Sequence, residues 1–251
     1  MREWLYGRNP IYETLRAGRR RAFRLWVAQN ASEKGRLADI LRLAGQQHIP
    51  VERVPRPRLE DYGAEAQGVA LEAGEYPYSD LPSILTNAAQ RDEPPFVLLL
   101  DTLQDPQNLG TLLRTAEIAG VHGVLLPYRR TATVTPAVVN ASSGASEHLL
   151  IAQVNLAQAI AELKDAGLWV IGLEGDPQSG AQPPARVRLD GPLALVVGNE
   201  GEGMRRLTRD SCDLLLALPM RGQIDSLNAA VAGSLAIYLA WQARGFHGAR
   251  A

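Results

Sequence analysis

The feature that most constrains the fold is a regular alternation of short apolar runs and helical segments after residue 95. Runs of this length suit buried strands and are too short for core helices. The runs lie at 96–101, 123–126, 168–173, 193–197 and 213–218, and the helical segments at 108–119, from 136 onward, 156–166 and 226–243. Strands that alternate with helices predict an α/β fold, with a mostly parallel sheet covered by helices on both faces.

A smaller α/β domain is predicted for residues 1–75. Asn9 and Pro10 are typical of a helix start and Gly18 of its end, and a second helix is expected from Ser32 to about residue 47. Short strands are predicted at 23–27, 51–54 and 69–73. Residues 76–95 contain four prolines and are interpreted as a linker with a capped helix at 80–90. The second domain then takes residues 96–251.

Composition excludes several classes of protein. The chain has no apolar run of membrane-spanning length and no signal-peptide pattern, so a cytoplasmic location and no membrane partner are expected. Its single cysteine, Cys212, excludes an internal disulfide, and the four histidines are scattered, so no metal site is expected. A net charge of −1 does not mark the whole chain as a nucleic-acid binder.

The densest basic patch follows the first predicted helix and comprises Arg16, Arg19, Arg20, Arg21 and Arg24. Cations are favoured beside a helix C-terminus, so this patch could be an ordinary solvated face. It could equally contact the backbone of a polyanion. Composition alone does not separate these two interpretations.

A glycine-rich turn, Gly198-Asn199-Glu200-Gly201-Glu202-Gly203, follows the apolar run 193–197. Open α/β sheets bind ligands at this edge, where a strand ends and bare backbone is exposed. The spacing matches neither the dinucleotide-binding GxGxxG motif nor the phosphate-binding P-loop. Glu200 and Glu202 would repel a phosphate and would tolerate a cation such as a sulfonium.

Two further segments contain candidate functional residues. Asn108 and Arg114 follow the first strand of the second domain; Arg114 could bind an anionic substrate group or be a surface arginine, and Asn108 could be an N-cap. The segment 219–228 leads into the last helix, with Asp225 or Ser226 as its expected cap. Residues 228–234 are unusually small, which permits very close backbone approach.

Three ordered motifs resemble those of the SPOUT (SpoU/TrmH-type) RNA 2′-O-ribose methyltransferases. They are Asn108-Leu109-Gly110 with Arg114, the turn 198–203, and the segment from Leu218-Pro219-Met220 to Ser226-Leu227-Asn228 with Val231-Ala232. Tyr6-Gly7-Arg8-Asn9-Pro10 and Gln67-Gly68-Val69-Ala70 are similar to the N-terminal substrate-binding domain of bacterial members that methylate a 23S rRNA guanosine. The resemblance therefore covers nearly the whole chain.

The resemblance implies a deep trefoil knot in the C-terminal domain, which pattern reading would not propose because knots are very rare. It also implies S-adenosylmethionine as methyl donor and a homodimer with the site at the interface. The implied cofactor contacts are Gly198, Leu218 and Leu227, with Glu200 and Met220 adjacent. The implied catalytic residues are Arg114, Asn108, Glu200, Ser226 and Asn228. RNA contacts are expected from Arg8, Arg16, Arg19, Arg20 and Arg21.

Family proposals assign the general base to the residue that matches Arg114. A guanidinium with a pKa above about 12 is a poor base, so we expect Arg114 to bind the phosphate beside the target ribose and to stabilise developing negative charge. Three alternatives stay open: a tRNA substrate, a Rossmann-type nucleotide-dependent enzyme, and a non-catalytic RNA-binding protein that has kept a methyltransferase fold.

Overall fold

The computed structural model describes residues 2–62, 64–176, 179–199, 201–224 and 226–250, with backbone alone for Glu60 and Ala64. It divides into two compact units. The first comprises the residues up to Pro77 together with Val134–His148, and the second comprises Tyr78–Thr133 and the chain from Leu149 onward. No pattern in the sequence indicates that a segment from the middle of the chain belongs to the first unit.

The first unit is built on a mixed sheet of the strands β1 (Arg2–Tyr6), β2 (Ala22–Ala28), β3 (Val51–Val54) and β4 (Val69–Gly74), in the order β1-β4-β2-β3. Only β2 and β3 run parallel among these described pairs. The fully buried Leu5, Leu25 and Leu71 lie opposite one another in the register and therefore share one face of the sheet. The elements in chain order are β1 (Arg2–Tyr6), α1 (Arg8–Ala17), β2 (Ala22–Ala28), α2 (Arg36–Gln46), β3 (Val51–Val54), 3-10 helices at Arg56–Tyr62 and Ala64–Ala66, β4 (Val69–Gly74), α5 (Pro136–Ala141) and a 3-10 helix at Ala145–His148.

The second unit contains the predicted parallel sheet, in the order β10-β8-β9-β5-β6-β7. Its strands are β5 (Phe96–Leu100), β6 (Gly123–Pro127), β7 (Ile151–Val154), β8 (Trp169–Leu173), β9 (Leu193–Val197) and β10 (Leu214–Leu216). Every described strand pair in it is parallel, which confirms the prediction. The central strands β5 and β9 are buried along their whole length, as parallel strands covered on both faces must be. The elements are α3 (Leu81–Gln90), β5 (Phe96–Leu100), α4 (Pro106–Ile118), β6 (Gly123–Pro127), β7 (Ile151–Val154), α6 (Leu156–Asp165), β8 (Trp169–Leu173), a 3-10 helix at Pro184–Arg186, β9 (Leu193–Val197), α7 (Arg206–Asp210), β10 (Leu214–Leu216) and α8 (Ala229–Ala243).

The helix predicted inside the linker is α3, and it is an integral part of the second unit. Its Leu81 and Ile84 are buried in the same apolar cluster as residues of β5 and β9. The Asp80 side chain caps it by accepting a hydrogen bond from the Ser83 amide at 2.9 Å. The side chain of Ser83 and then its amide lower the pKa of Asp80, because their hydrogen bonds favour the charged carboxylate.

Several predicted helix starts are wrong by a few residues. α1 begins after Gly7 and α2 after Gly35, so neither Asn9 nor Ser32 is the cap. Both glycines adopt positive φ, a conformation that side chains disfavour, which suits them to a sharp entry into a helix. The predicted C-cap at Gly18 is confirmed: its φ is 63° and its amide donates to the Thr14 carbonyl. Strands β1 and β7 were not predicted.

Within the described ranges, no helix is long and apolar enough to cross a membrane.

Candidate functional site

The glycine-rich turn after β9 doubles back onto its own start. A Cβ atom added at Gly198 would lie 2.2 Å from the carbonyl carbon of Gly203 and 2.3 Å from the amide nitrogen of Met204. No side chain fits at such distances, so only glycine permits this crossing of the backbone. The tight approach is compatible with the threading that the family resemblance implies, and the knot itself stays a prediction.

The side chain of Asn199 holds the turn in shape. Its Oδ1 accepts hydrogen bonds from the amides of Gly201 at 2.9 Å and Glu202 at 2.7 Å. Its Nδ2 donates to Thr102 Oγ1 at 3.1 Å, which ties the turn to the segment after β5. An asparagine that bonds backbone amides two and three residues ahead stabilises a turn locally. Asn199 therefore holds the turn together through hydrogen bonds within this chain.

A buried carboxylate fixes the far end of the turn. The Asp101 side chain is fully buried and accepts from both the backbone amide and Nε of Arg205, at 2.9 and 2.7 Å. These bonds satisfy a charge that would be costly to bury alone. In the sequence, Asp101 is recognisable only as the end of a strand, because its partner Arg205 lies 104 residues later.

A cavity of about 280 Å³ opens beside this turn, at the carboxyl ends of β8, β9 and β10. Five of the predicted cofactor or catalytic residues line it: Gly198, Leu218, Met220, Ser226 and Leu227. The predicted Glu200 lies outside the described residues. The remaining lining comes from Leu173, Glu174, Gly175, Val197, Asn199, Gly201, Glu202, Gly203, Ala229 and Ala232. Ligands of open α/β sheets bind at this edge.

The chemistry of the cavity suits a ligand with apolar parts and a positive charge. Its described lining offers leucine and methionine side chains, bare glycine backbone and two carboxylates, with no lysine or arginine. The Glu174 carboxylate pairs with Arg209 at 3.1 Å from outside the lining, whereas Glu202 has no ion pair among the described residues, so Glu202 carries most of the negative charge that faces the cavity. An anionic phosphate would meet repulsion there, whereas a sulfonium beside an adenosine would not. The residues present therefore fit S-adenosylmethionine, the donor that the resemblance implies.

Two predicted catalytic residues meet where α4 and α8 begin. Asn228 Nδ2 donates to Asn108 Oδ1 at 3.2 Å, while Asn228 Oδ1 accepts from the amides of Ala230 and Val231. Asn228 is thus the N-cap of α8, and the expected cap at Asp225 or Ser226 is wrong. Asn108 lies inside α4, whose cap is Asp105.

The small residues of α8 allow it to pack closely against α4, as the sequence predicted for 228–234. A Cβ added at Gly233 would lie 2.6 Å from Leu112 Cδ2. One residue further along α8, the hydroxyl oxygen of Ser234 lies 2.9 Å from that of Thr115 on α4. Arg114 is exposed on α4 and is not among the residues that line the cavity.

The structure separates the arginines that were expected to contact RNA. Arg16 and Arg21 are exposed, and Arg8 donates from Nε to the Gln67 carbonyl at 3.2 Å. Arg19 is partly buried and donates to the Tyr76 hydroxyl at 3.0 Å. Burial raises the pKa of Tyr76 to about 12 although the charge of Arg19 lowers it, so Tyr76 stays protonated at neutral pH.

The prediction that Arg20 contacts RNA is wrong, because its side chain is buried in an ion pair. Its side chain is 0% exposed and forms two hydrogen bonds with the carboxylate of Glu147 at 2.9 and 3.0 Å. It also donates to Glu3 at 2.8 Å. Since Glu147 is itself buried, Arg20 joins Ala145–His148 to the rest of the first unit.

We expect Arg20→Ala to destabilise the protein by about 3–5 kcal/mol, because it leaves the Glu147 carboxylate buried without its partner. Denaturant unfolding followed by circular dichroism measures the change. Arg16→Ala is the matched control, since its pair with Glu13 is on the surface and is worth about 0–1 kcal/mol. Equal stability of the two variants would contradict the role given to Arg20.

The described side chains offer neither an evident thiol nucleophile nor a metal centre. Burial raises the pKa of Cys212 to about 12, so the thiol stays protonated at neutral pH. Among the described residues, no group of three or more His, Cys, Asp or Glu side chains could hold a metal ion.

Family models cover both parts of the chain. The model of the SpoU rRNA methylase family matches residues 95–238. The model described as RNA 2′-O ribose methyltransferase substrate binding matches residues 4–79. A relative from Bacillus subtilis, provisionally named TrmH family tRNA/rRNA methyltransferase YacO, is 39% identical over 246 residues, which cover 96% of each chain.

Two solved structures show the same fold. The SpoU methyltransferase AviRb from Streptomyces viridochromogenes, in complex with AdoMet, has a TM-score of 0.80 and 23% identity, and the match covers 98% of this chain and 91% of AviRb. An AdoMet-bound rRNA methyltransferase from Sinorhizobium meliloti has a TM-score of 0.77 and 23% identity, with 96% and 87% covered.

Proposed function

The chain belongs to the SpoU rRNA methylase family, and we propose that it transfers a methyl group from S-adenosylmethionine to the ribose 2′-oxygen of a specific guanosine in 23S rRNA, in the cytoplasm. The observation that carries this proposal is the cavity at the carboxyl edge of the sheet, walled by the glycine-rich turn and carboxylates. The substrate-binding domain at residues 4–79 supports RNA as the acceptor.

The proposed cofactor site uses backbone more than side chains. Gly198, Leu218 and Leu227 would contact S-adenosylmethionine, with Met220 beside them and Glu200 as a further contact. When bound, S-adenosylmethionine supplies a methyl group that is already activated by its positive sulfur. The task left to the protein is to align the ribose 2′-oxygen with that methyl group and to exclude water.

Arg114 would bind the phosphate next to the target ribose and stabilise the negative charge that develops on the 2′-oxygen. Arginine side chains in proteins keep their positive charge, so Arg114 would stabilise the developing charge and would not take up the proton. The Asn108–Asn228 hydrogen bond would fix the start of α4 relative to α8 and so position Arg114. Ser226 lines the cavity and would order cofactor and ribose.

The first unit would hold the rRNA through Arg8, Arg16, Arg19 and Arg21. We expect the double variant Arg16→Glu/Arg21→Glu to weaken RNA binding and to flatten its salt dependence, because phosphate contacts release counterions. Fluorescence anisotropy with a 23S rRNA fragment across a salt series measures both effects. If the RNA affinity and its salt dependence are unchanged, these arginines form an ordinary solvated face and do not contact RNA.

A homodimer is the assembly that we propose, formed through α8. One face of α8 is buried through Gly233, Ala236 and Ile237, while Val231, Leu235 and Tyr238 on another face are each more than 40% exposed. Apolar residues at this spacing form a continuous stripe on a helix, and such a surface is typical of an interface. Leu227, which lines the cavity, is also exposed, so a second copy bound here would lie next to the site.

We expect Leu235→Glu to weaken this dimer at least 100-fold, because it buries a charge in an apolar interface. Sedimentation velocity across a concentration series measures the change. Trp169→Glu is the control, since Trp169 is 58% exposed on β8 rather than α8. A Leu235→Glu protein that still dimerises like wild type would contradict the assignment of α8.

The proposed reaction is tested by methyl transfer from labelled S-adenosylmethionine to RNA from cells that lack this protein, with 23S rRNA and tRNA separated. Label at one ribose 2′-oxygen of a 23S rRNA guanosine is the expected result. Label in tRNA would support the proposed methyl transfer and would show that the acceptor is tRNA, not 23S rRNA. No label in free RNA or in ribosome precursor particles, despite cofactor binding, would favour a non-catalytic RNA-binding protein.

A further inference from the structure

An exposed loop after β6 contains Tyr128, Arg129 and Arg130. All three side chains are exposed, and the Tyr128 ring is 67% accessible. Within the described part of the chain, neither Arg129 nor Arg130 forms a side-chain hydrogen bond or an ion pair. An uncovered aromatic ring beside two unpaired guanidinium groups has no role in packing this unit.

The loop belongs to the carboxyl edge on which the cavity opens. In the sheet, β6 lies next to β5, which lies next to β9. Since neighbouring strands are about 4.8 Å apart, the loop after β6 starts about 10 Å from the glycine-rich turn after β9. A polymer whose ribose reaches the cavity would extend past this loop.

Hydrogen bonds connect the loop to the glycine-rich turn through a shared segment. Thr131 Oγ1 and the Ala132 amide both donate to the buried Leu103 carbonyl, at 2.9 and 2.7 Å. The adjacent Thr102 accepts from the Asn199 side chain. These hydrogen bonds hold the C-terminal end of the loop in place. They also keep the neighbouring Arg130 at a φ of 59°, a backbone conformation that a residue with a side chain rarely adopts.

We propose that this loop, residues 128–132, is an RNA contact of the catalytic unit. Arg129 and Arg130 bind phosphates next to the target nucleotide, and Tyr128 stacks on a neighbouring base. Proteins recognise single-stranded RNA by this combination of backbone charge and aromatic stacking. The inference rests on the proposed function, since it takes RNA as the substrate whose ribose enters the cavity.

The test compares wild type with Arg129→Ala/Arg130→Ala and Tyr128→Ala in the full-length protein. Binding to a fluorescein-labelled 20-nucleotide fragment of 23S rRNA is measured across a salt series. Removal of two phosphate contacts on a single strand is expected to reduce the slope of log K against log salt by about 1.4. Tyr128→Ala is expected to weaken binding about tenfold without changing the slope. The affinity for S-adenosylmethionine should change less than threefold in both.

Matched variants separate this role from a structural one. Arg129→Lys/Arg130→Lys should keep the salt slope, and Tyr128→Phe should keep the affinity. Arg91→Ala removes an exposed arginine that lies five residues before the amino end of β5, at the opposite edge of the sheet, and should match wild type. Circular dichroism melting checks that each variant is folded.

The outcomes distinguish this inference from the proposed function. If wild type methylates rRNA and the alanine variants bind the fragment with unchanged affinity and slope, the loop is not an RNA contact while the function stands. If wild type binds the fragment without methylating rRNA, and Arg129→Ala/Arg130→Ala lowers the salt slope while Tyr128→Ala weakens the affinity, the loop assignment stands while the function fails. If wild type binds no RNA, both are overturned.

Discussion

Replacing Gly198 with alanine is expected to abolish the binding of S-adenosylmethionine, with an affinity loss of more than 100-fold. The new Cβ would lie 2.2 and 2.3 Å from backbone atoms of Gly203 and Met204. Backbone cannot rotate away as a flexible side chain does, so the turn must open. Since Gly198, Asn199, Gly201, Glu202 and Gly203 form one wall of the cavity, an opened turn removes that wall. Isothermal titration calorimetry measures the affinity.

The control is Gly222→Ala, because no heavy atom lies within 4 Å of a Cβ added there. Gly222 has neither a positive φ nor a place in the cavity lining, so this variant should bind S-adenosylmethionine like wild type. Overpacking also costs about 1–3 kcal/mol of stability, and unfolding curves show how much of each population is folded. A folded Gly198→Ala protein whose dissociation constant for S-adenosylmethionine is within threefold of wild type would contradict the close backbone approach of Gly198 to Gly203 and Met204.

The parallel sheet was predictable because burial on both faces makes each strand a continuous apolar run. β5 and β9 are the clearest cases: each is five consecutive buried apolar residues. The cavity was predictable from the glycines that follow β9, because a strand end rich in glycine is suited to ligand contact. These signals are local, and each can be read from fewer than a dozen consecutive residues.

Features that depend on distant partners were not predictable from such local signals. The sequence Arg19-Arg20-Arg21 is uniformly basic, yet Arg20 is buried because Glu147, 127 residues later, pairs with it. Asn228 was recognised by its motif, but its role as the cap of α8 was not, since Ser226 is an equally good capping residue by type. The loop at Tyr128 gave no sequence signal beyond two adjacent arginines.

Arg114→Ala is expected to lower methyl transfer to rRNA by about 10²–10³-fold, the range seen when one group that stabilises a developing oxyanion is removed. Its effect on the affinity for S-adenosylmethionine should stay within threefold, because Arg114 is exposed on α4 and is not part of the cavity lining. Single-turnover transfer and calorimetry measure the two quantities separately. Glu117→Ala, one turn further along α4, is the control.

Arg114→Lys separates phosphate binding from proton abstraction. A lysine keeps the positive charge but lacks the planar fork that binds a phosphate through two hydrogen bonds. We therefore expect Arg114→Lys to transfer the methyl group faster than Arg114→Ala and more slowly than wild type. If Arg114 binds phosphate, the pH dependence of transfer keeps its shape in this variant. If residue 114 were the base, the rate of methyl transfer in this variant would begin to rise at a lower pH than in wild type. The reason is that a lysine amine, with an ordinary pKa of about 10.4, loses its proton at a lower pH than an arginine guanidinium. A loss of cofactor affinity together with activity in Arg114→Ala would refute both roles and assign Arg114 to the cofactor site.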